Sequence, residues 1–147
     1  MSAVFDTVNH QKLLQILENR FNFTHTVLKL ITSYLNNRSQ FVSIDNYKSR
    51  LIDLSHGVPQ GTCLGPILYL IYISGIYDVV GRHTPIIEDY ADDHQLYVSF
   101  SPKSKIELVQ AKLSLEQCIG DIRSFLLTLS TTHLDSITKR YLVERNN

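Results

Sequence analysis

The chain has 147 residues, 44% of them hydrophobic, and its 14 Lys and Arg balance 14 Asp and Glu, so the formal net charge is zero. This length favours a single globular domain. The lack of a basic surplus argues against strong autonomous binding to RNA or DNA, because phosphate neutralisation supplies most of that affinity. Two cysteines make no disulfide framework, and six scattered histidines give no zinc pattern.

Composition also bears on compartment. We expect Cys63 and Cys118 to be buried free thiols in a reducing environment. No signal peptide precedes Phe5, which predicts an intracellular location, cytoplasm or nucleus. The most apolar run, residues 67–73, is far shorter than the roughly 20 residues of a membrane span. It predicts a buried helix, and no membrane partner.

Two amphipathic helices are predicted first along the chain. Asn9 can cap one of them and Thr24 the other, with Asn36-Asn37 ending the second. Each helix carries an apolar stripe, which we interpret as its core-facing side rather than a cofactor contact. The stripes comprise Leu13, Leu14, Leu17 and Phe21 in the first helix, and Val27, Ile31, Tyr34 and Leu35 in the second.

A predicted hairpin and a loop of glycine and proline follow. Residues 41–44 and 51–54 predict two strands joined across Asn46-Tyr47. Residues 57–66 then contain three glycines and two prolines, and Pro66 suits the first turn of the helix that follows. Such a loop lets the backbone approach a ligand closely. A structural turn would account for its glycines and prolines, but not for Gln60 between them.

A second hairpin is predicted around Tyr90-Ala91-Asp92-Asp93. Apolar residues precede this motif, and apolar side chains alternate in residues 96–100 after it, as in a half-buried strand. Adjacent carboxylates beside apolar surface repel each other and are costly unless a cation binds them. Magnesium or manganese suits such hard oxygen ligands. A solvated Asp-Asp turn is the alternative, since Asp is common in turns.

The last predicted element is a helix from about residue 106 to residue 127, after a break at residues 101–104. Its apolar positions are Leu108, Leu115, Ile119 and Ile122. Helices packed on one face of a small antiparallel sheet form an α+β fold.

In their order and spacing, these motifs resemble the reverse transcriptase domain of non-LTR, LINE-type, jockey-like retrotransposons. The matching stretches are residues 5–10 with Leu13-Leu14, residues 33–35 with 38–40, residues 57–66, Tyr72-Ile73, and residues 90–93 with 95–97. The resemblance implies a partial polymerase palm at residues 1–125 and a divergent tail at residues 126–147. In that tail Lys139 is a weak candidate for a lysine that assists proton transfer to pyrophosphate in related polymerases.

The family's reaction joins a dNTP to a primer 3′-OH, copying RNA with the help of two Mg²⁺ or Mn²⁺ ions. By resemblance, Asp92 would be a catalytic residue that bridges both ions, and Asp93 a secondary ligand or electrostatic support. Further residues would bind nucleotide or template: Phe5 as the steric gate under the sugar, Gln60 and Gly61 as the pocket lining, and Tyr90 near the primer end. Ordinary strand packing is an equal alternative for Tyr90.

One part of the family pattern is missing from these residues. In the family, the first catalytic aspartate stands five residues before the aromatic that Phe5 matches. That aspartate would fall at position 0 of this sequence. Asp6 matches a different, non-catalytic acid. We therefore expect a fragment with little or no polymerase activity of its own. RNA template, DNA primer and dNTP would be its partners only together with missing palm, fingers and thumb segments or another chain. The alternative is a non-catalytic interaction module that pairs through an exposed sheet edge.

Overall fold

The computed structural model describes residues 3–59, 61–90, 93–101 and 103–129. The chain divides into two compact units: an N-terminal unit, Phe5–Tyr72, and a C-terminal unit that begins at Ile73 and takes in the first four residues. Both units combine helices with short antiparallel ladders, so the predicted α+β class is confirmed.

The N-terminal unit contains two packed helices. A 3-10 turn, Ala3–Thr7, leads into α1, His10–Asn19, and α2 spans His25–Leu35. Asn9 caps α1, as predicted, because its side-chain oxygen accepts a hydrogen bond from the backbone N–H of Lys12 at 3.0 Å. The buried side chains on the facing surfaces are Leu13 and Leu17 of α1 and Ile31 and Leu35 of α2.

Parts of both predicted stripes were wrong. Phe21 lies beyond α1, because the helix ends at Asn19 with Arg20 as its C-cap, and Asn22 takes a positive φ of 54°. Val27 is in α2 but exposed. Thr24 stands at the N-cap of α2 as predicted, yet its side chain makes no capping hydrogen bond. Phe21 and Val27 therefore continue the apolar pattern of each helix, but no neighbouring element buries them.

The predicted pairing of residues 41–44 with residues 51–54 was wrong, because this part of the chain forms two separate two-stranded ladders. The four strands have two residues each: β1, Ser39–Gln40; β2, Ser43–Ile44; β3, Tyr47–Lys48; and β4, Ile52–Asp53. β1 pairs with β4 and β2 with β3, both antiparallel. Tyr47 lies in a strand rather than in the turn, because Asp45 takes a φ of 52° and turns the chain one residue earlier.

The helix after the glycine loop, α3, spans Leu64–Ile73, and Pro66 lies in its first turn as predicted. It is not buried on all sides. Leu68, Tyr69, Tyr72 and Ile73 are covered, whereas Ile67 and Leu70 are exposed. An apolar run of this length therefore presents one face to solvent. No helix in the described part of the chain is long and apolar enough to cross a membrane.

The C-terminal unit places a hairpin against two helices. α4, Ile76–Val80, precedes β5, Ile86–Tyr90, and β6, Asp93–Tyr97; α5 spans Lys105–Leu129. The predicted trailing strand, residues 96–100, is shifted, because pairing with β5 begins at Asp93 and ends at Tyr97. A buried cluster joins these elements: Val80, Leu96, Leu115 and Cys118, with Ile87, Val98 and Ile122 packed against it.

The two cysteines differ from the prediction and from each other. Both are free, but only Cys118 is buried, whereas Cys63 is exposed in the loop before α3. Burial, with a smaller contribution from the charge of Asp121, raises the pKa of the Cys118 thiol. Lys139 and the rest of residues 130–147 lie outside the described residues. The boundary between residues 1–125 and 126–147 stays a prediction.

Candidate active site

The Asp-Asp motif connects β5 to β6. The two strands pair in register from Ile86↔Tyr97 to Tyr90↔Asp93, which leaves only Ala91 and Asp92 between them. Asp92 lies outside the described residues, and for Asp93 and Tyr90 the structure describes the backbone but not the side chain. The sequence thus puts one acid in the connection and the next at the first residue of β6.

A hydrogen-bonded network lies one rung below this connection. Asp89 is paired directly with His94 across the hairpin. His94 Nδ1 donates to Asp89 Oδ1 at 2.5 Å, and the Tyr77 hydroxyl donates to Asp89 Oδ2 at 2.5 Å. The side chains of His94 and Asp89 are only 9% and 16% accessible, although Asp89 as a whole residue is exposed. Both carboxylate oxygens of Asp89 are therefore occupied by donors.

The Tyr77 hydroxyl shows the effect of this network on its acidity. The hydrogen bond to Asp89, then partial burial and the charge of that carboxylate, raise the pKa of Tyr77 from 10.0 to about 12. All three causes disfavour the phenolate, because it would bring a second negative charge beside Asp89. Tyr77 therefore remains a donor at neutral pH.

In the N-terminal unit, the glycine loop is fastened to the segment that carries Phe5. The backbone N–H groups of Gly57 and Val58 donate to the carbonyls of Val8 and Phe5 at 2.8 and 2.9 Å. The imidazole Nε2 of His10 lies 2.7 Å from the Gly57 carbonyl. These bonds hold the loop against the backbone on both sides of Asp6.

The ring of Phe5 is held by an aromatic neighbour. Its centroid lies 5.1 Å from that of Tyr69 in α3, with the two planes tilted by 54°, within the distance range of aromatic contacts. One turn along α3, the hydroxyl of Tyr72 accepts a hydrogen bond from the backbone N–H of Asn9 at 3.2 Å. α3 therefore fixes both ends of the short segment between Phe5 and α1.

The second half of the loop closes around Thr62. Its hydroxyl donates to the Pro59 carbonyl at 2.8 Å, accepts from the Gly65 N–H at 3.2 Å, and lies 2.7 Å from the Tyr34 hydroxyl. Gly61 has a φ of +76°, which favours glycine. Gln60 lies outside the described residues. On one side of Gln60, Pro59 is therefore held by the Thr62 hydroxyl. On the other side, Gly61 has the positive φ.

A cleft of about 1040 Å³ opens beside the same loop. Its charged lining residues are Asp6, Asp53 and Arg38, with His10 and His56 as titratable neighbours. Two carboxylates and one guanidinium are therefore among the described lining residues. The cleft is polar, but its charge does not favour phosphate groups.

The donor chemistry at the Asp-Asp motif fits a hard divalent cation. Asp92 and Asp93 are adjacent in the sequence where β5 connects to β6, and carboxylate oxygens suit Mg²⁺ or Mn²⁺. Elsewhere in the described residues, no three His, Cys, Asp or Glu side chains come together as a metal site.

Comparison with known proteins settles the family. The chain matches the family model for reverse transcriptase (RNA-dependent DNA polymerase) over residues 1–131. The chain belongs to the reverse transcriptase family. The resemblance predicted from residues 57–66 and 90–93 is thus confirmed.

The relatives of this reverse transcriptase segment point to mobile elements. It is 36% identical over 102 residues to the RNA-directed DNA polymerase from mobile element jockey of Drosophila melanogaster, covering 63% of the chain and 10% of that protein. It is 30% identical over 104 residues to the probable RNA-directed DNA polymerase from transposon BS of the same organism, covering 67% of the chain and 11% of that protein. No solved structure matches the chain. The segment is thus similar to polymerases of the jockey mobile element and transposon BS, and it spans about a tenth of the length of these curated relatives.

Sequence reasoning missed several residues that position this reverse transcriptase segment. Tyr77, Asp89 and His94 carried no motif, because their partnership depends on the register of the hairpin and on the packing of α4. Thr62 carried a weak signal, a hydroxyl residue shortly before a helix, which is typical of a cap. Tyr69 was treated only as part of an apolar run.

Proposed function

We propose that this chain forms part of the palm of an RNA-directed DNA polymerase that extends a DNA primer on an RNA template. The observation that carries the proposal is the β5–β6 hairpin, whose closing pair Tyr90↔Asp93 leaves only Ala91 and Asp92 as the connection, in a chain of the reverse transcriptase family. A short connection limits the freedom of adjacent carboxylates, which a site for divalent cations requires.

Asp92 and Asp93 are the proposed metal-binding residues. When bound, Mg²⁺ or Mn²⁺ would lower the barrier by offsetting the negative charge that develops on the attacking and leaving oxygens. The protein's part is to present carboxylates at fixed positions and to orient the primer 3′-OH and the triphosphate. Tyr90, whose backbone pairs with Asp93, is proposed to lie near the primer end.

Phe5 is proposed as the steric gate that rejects a 2′-OH. A gate must hold its position against the sugar, and the contacts with the ring of Tyr69 and the N–H of Val58 support that role. Gln60 and Gly61 are proposed to line the pocket for the template base and nucleotide. The positive φ of Gly61 supports a close approach of backbone to ligand at that point.

The isolated polypeptide is proposed to have little activity. The chain spans about a tenth of the length of its curated relatives, and Asp92 is the bridging carboxylate proposed within it, so these 147 residues alone would lack parts of the proposed site. Losing several kcal/mol of transition-state stabilisation lowers the rate roughly a thousandfold or more, at about 1.4 kcal/mol per factor of ten.

Primer extension tests the proposal directly. The segment is exchanged for the matching stretch of the jockey polymerase, which supplies the remaining parts of the enzyme, and labelled primer is extended on an RNA template with Mg²⁺ or Mn²⁺. We expect extension by the chimaera, loss of about a thousandfold or more in its Asp92→Asn variant, and little extension by the isolated chain. An Asp92→Asn chimaera as active as its parent would show that this acid is not catalytic.

A further inference from the structure

A hydrogen bond connects α4 to the β5–β6 hairpin, next to the closing pair that precedes the Asp-Asp motif. Asp89 and His94 form the rung next to the closing pair Tyr90↔Asp93, and Tyr77 of α4 reaches the same carboxylate. We call Tyr77, Asp89 and His94 the brace. Because each oxygen of Asp89 has its own donor, the brace joins both strands of the hairpin to a helix through a single side chain.

The brace continues the packed surface of the hairpin. Cross-strand partners share a face, and alternate residues along a strand share it too, so Asp89 and His94 lie on the same face as Ile87 and Leu96. Ile87 and Leu96 pack in the buried cluster with Val80 of α4. Apolar packing therefore holds the middle of the hairpin against α4. The brace holds the part of the hairpin nearer the turn against the same helix.

The helix at the other end of the brace is itself fixed. Gly75 stands at the N-cap of α4, and a Cβ there would lie 2.6 Å from the ring of Phe125 in α5, so α4 begins in close contact with α5. Val79 and Val80 are buried. Tyr77 consequently reaches Asp89 from a helix that is anchored by packing, which is what a positioning contact needs.

We propose that Tyr77, Asp89 and His94 are positioning residues that hold the turn at Asp92 and Asp93 in the geometry that binds a divalent cation. The inference rests on the proposed function of that turn. The three residues act through the backbone of β5 and β6 and touch no reacting atom. Loss of any one of them should loosen the hairpin next to the turn and weaken the binding of the cation.

The first measurement is the rate of amide hydrogen exchange in β5 and β6, monitored by NMR on the whole chain. We expect Tyr77→Phe to speed exchange in this hairpin about tenfold, since it removes a hydrogen bond to a carboxylate while it retains the ring. Tyr97→Phe is the matched control: it removes a hydroxyl on the same hairpin that bonds Gln95, outside the brace. We expect less than about a twofold change there.

The second measurement is Mn²⁺ affinity, from paramagnetic broadening of the hairpin resonances with Mn²⁺ alone as the probe. We expect Asp89→Asn and Tyr77→Phe to weaken the affinity about tenfold, with the melting of the whole chain little changed in Tyr77→Phe. Tyr97→Phe should bind as the parent does. A purely structural contact would alter melting without this selective loss.

The outcomes separate the two proposals. Unchanged exchange in both brace variants, or faster exchange with unchanged Mn²⁺ affinity, would overturn the positioning role. The double variant Asp92→Asn with Asp93→Asn tests the turn itself. If that variant still showed the parental broadening, the proposed metal function of the turn would be wrong, whereas the exchange rates would still report whether the brace holds the hairpin.

Discussion

Gly57 lies where the loop comes closest to the Phe5 segment. Its φ is +89°, and a Cβ at this position would lie 3.2 Å from the Cα of Asp6 and 3.4 Å from the Phe5 carbonyl oxygen. This approach lets the backbones of Gly57 and Val58 donate to Val8 and Phe5. The absence of a side chain at residue 57 is therefore what allows the proposed gate to be fixed by backbone hydrogen bonds.

Gly57→Ala should destabilise the chain by about 1–3 kcal/mol, because it combines an unfavourable positive φ with contact against backbone. Gly120→Ala is the control: residue 120 lies in the exposed part of α5, a Cβ there would meet nothing within 4 Å, and alanine favours helix. That change should stabilise by about 0.5–1 kcal/mol. Urea unfolding measures both, and equal effects would contradict the role of residue 57.

Tyr77 should make stability depend on alkaline pH. Its pKa in the folded chain is about 12, against 10.0 ordinarily, so folding favours the protonated phenol. The contribution is complete below about pH 10 and is lost as pH rises through about 12. Phenolate absorbance and unfolding measured across this range should show it. In Asp89→Asn the pKa should fall toward 10, since the bond to Asp89 is the largest cause; an unchanged titration would contradict the hydrogen bond.

At the scale of elements, Thr62 links three parts of the N-terminal unit. Its hydroxyl contacts the Pro59 carbonyl, the Gly65 N–H at the start of α3, and the hydroxyl of Tyr34 in α2. One side chain thus sets the path of the loop on both sides of Gln60 and the orientation of α3. Loss of this hydroxyl would leave several polar groups without their partner.

Thr62→Val should cost about 1–2 kcal/mol of folding free energy, because it keeps the shape of the side chain and removes the hydroxyl. Ser124→Ala is the matched control, since its exposed hydroxyl donates only to the Gly120 carbonyl within α5. We expect that change to be within about 0.5 kcal/mol of the parent. Thermal unfolding of the two variants measures these changes in stability. If Thr62→Val were as stable as the parent, the backbone alone would determine the conformation of the loop.

The existence of the elements was predictable, and their limits less so. Local signals predicted the existence of α1, α3 and the second hairpin. These signals were the capping residue Asn9, Pro66 in the first turn of α3, and the alternation of apolar side chains around Leu96. The ends of β6 and of the first hairpin were not predicted correctly, because pairing register depends on which backbone groups meet across strands. Exposure at Val27 was missed because periodicity shows a face but not whether a neighbour covers it.

For the whole molecule, charge limits what the chain can do alone. Its 14 basic and 14 acidic side chains cancel, and the polar cleft beside Gly57 adds no basic surplus among its described lining residues. Affinity for RNA from counterion release needs several cationic contacts in one place. Composition therefore predicts that this segment by itself binds RNA weakly.

We expect the isolated chain to bind single-stranded RNA with a Kd weaker than roughly 0.1 mM at about 150 mM salt. Fluorescence anisotropy of a labelled oligoribonucleotide measures this, repeated at about 50 mM salt, where residual electrostatic binding would strengthen. Micromolar binding at the higher salt would show a concentrated basic surface that the overall composition hides.

The sequence by itself determined the family, the α+β class and the adjacency of Asp92 and Asp93, because these depend on residue order and local backbone preference. Only the tertiary structure decided that Tyr77 joins Asp89 and His94, that Thr62 joins α2 to the loop, and that Cys63 is exposed while Cys118 is buried. Such facts arise when residues far apart in the chain are brought together, and no local pattern encodes those distances.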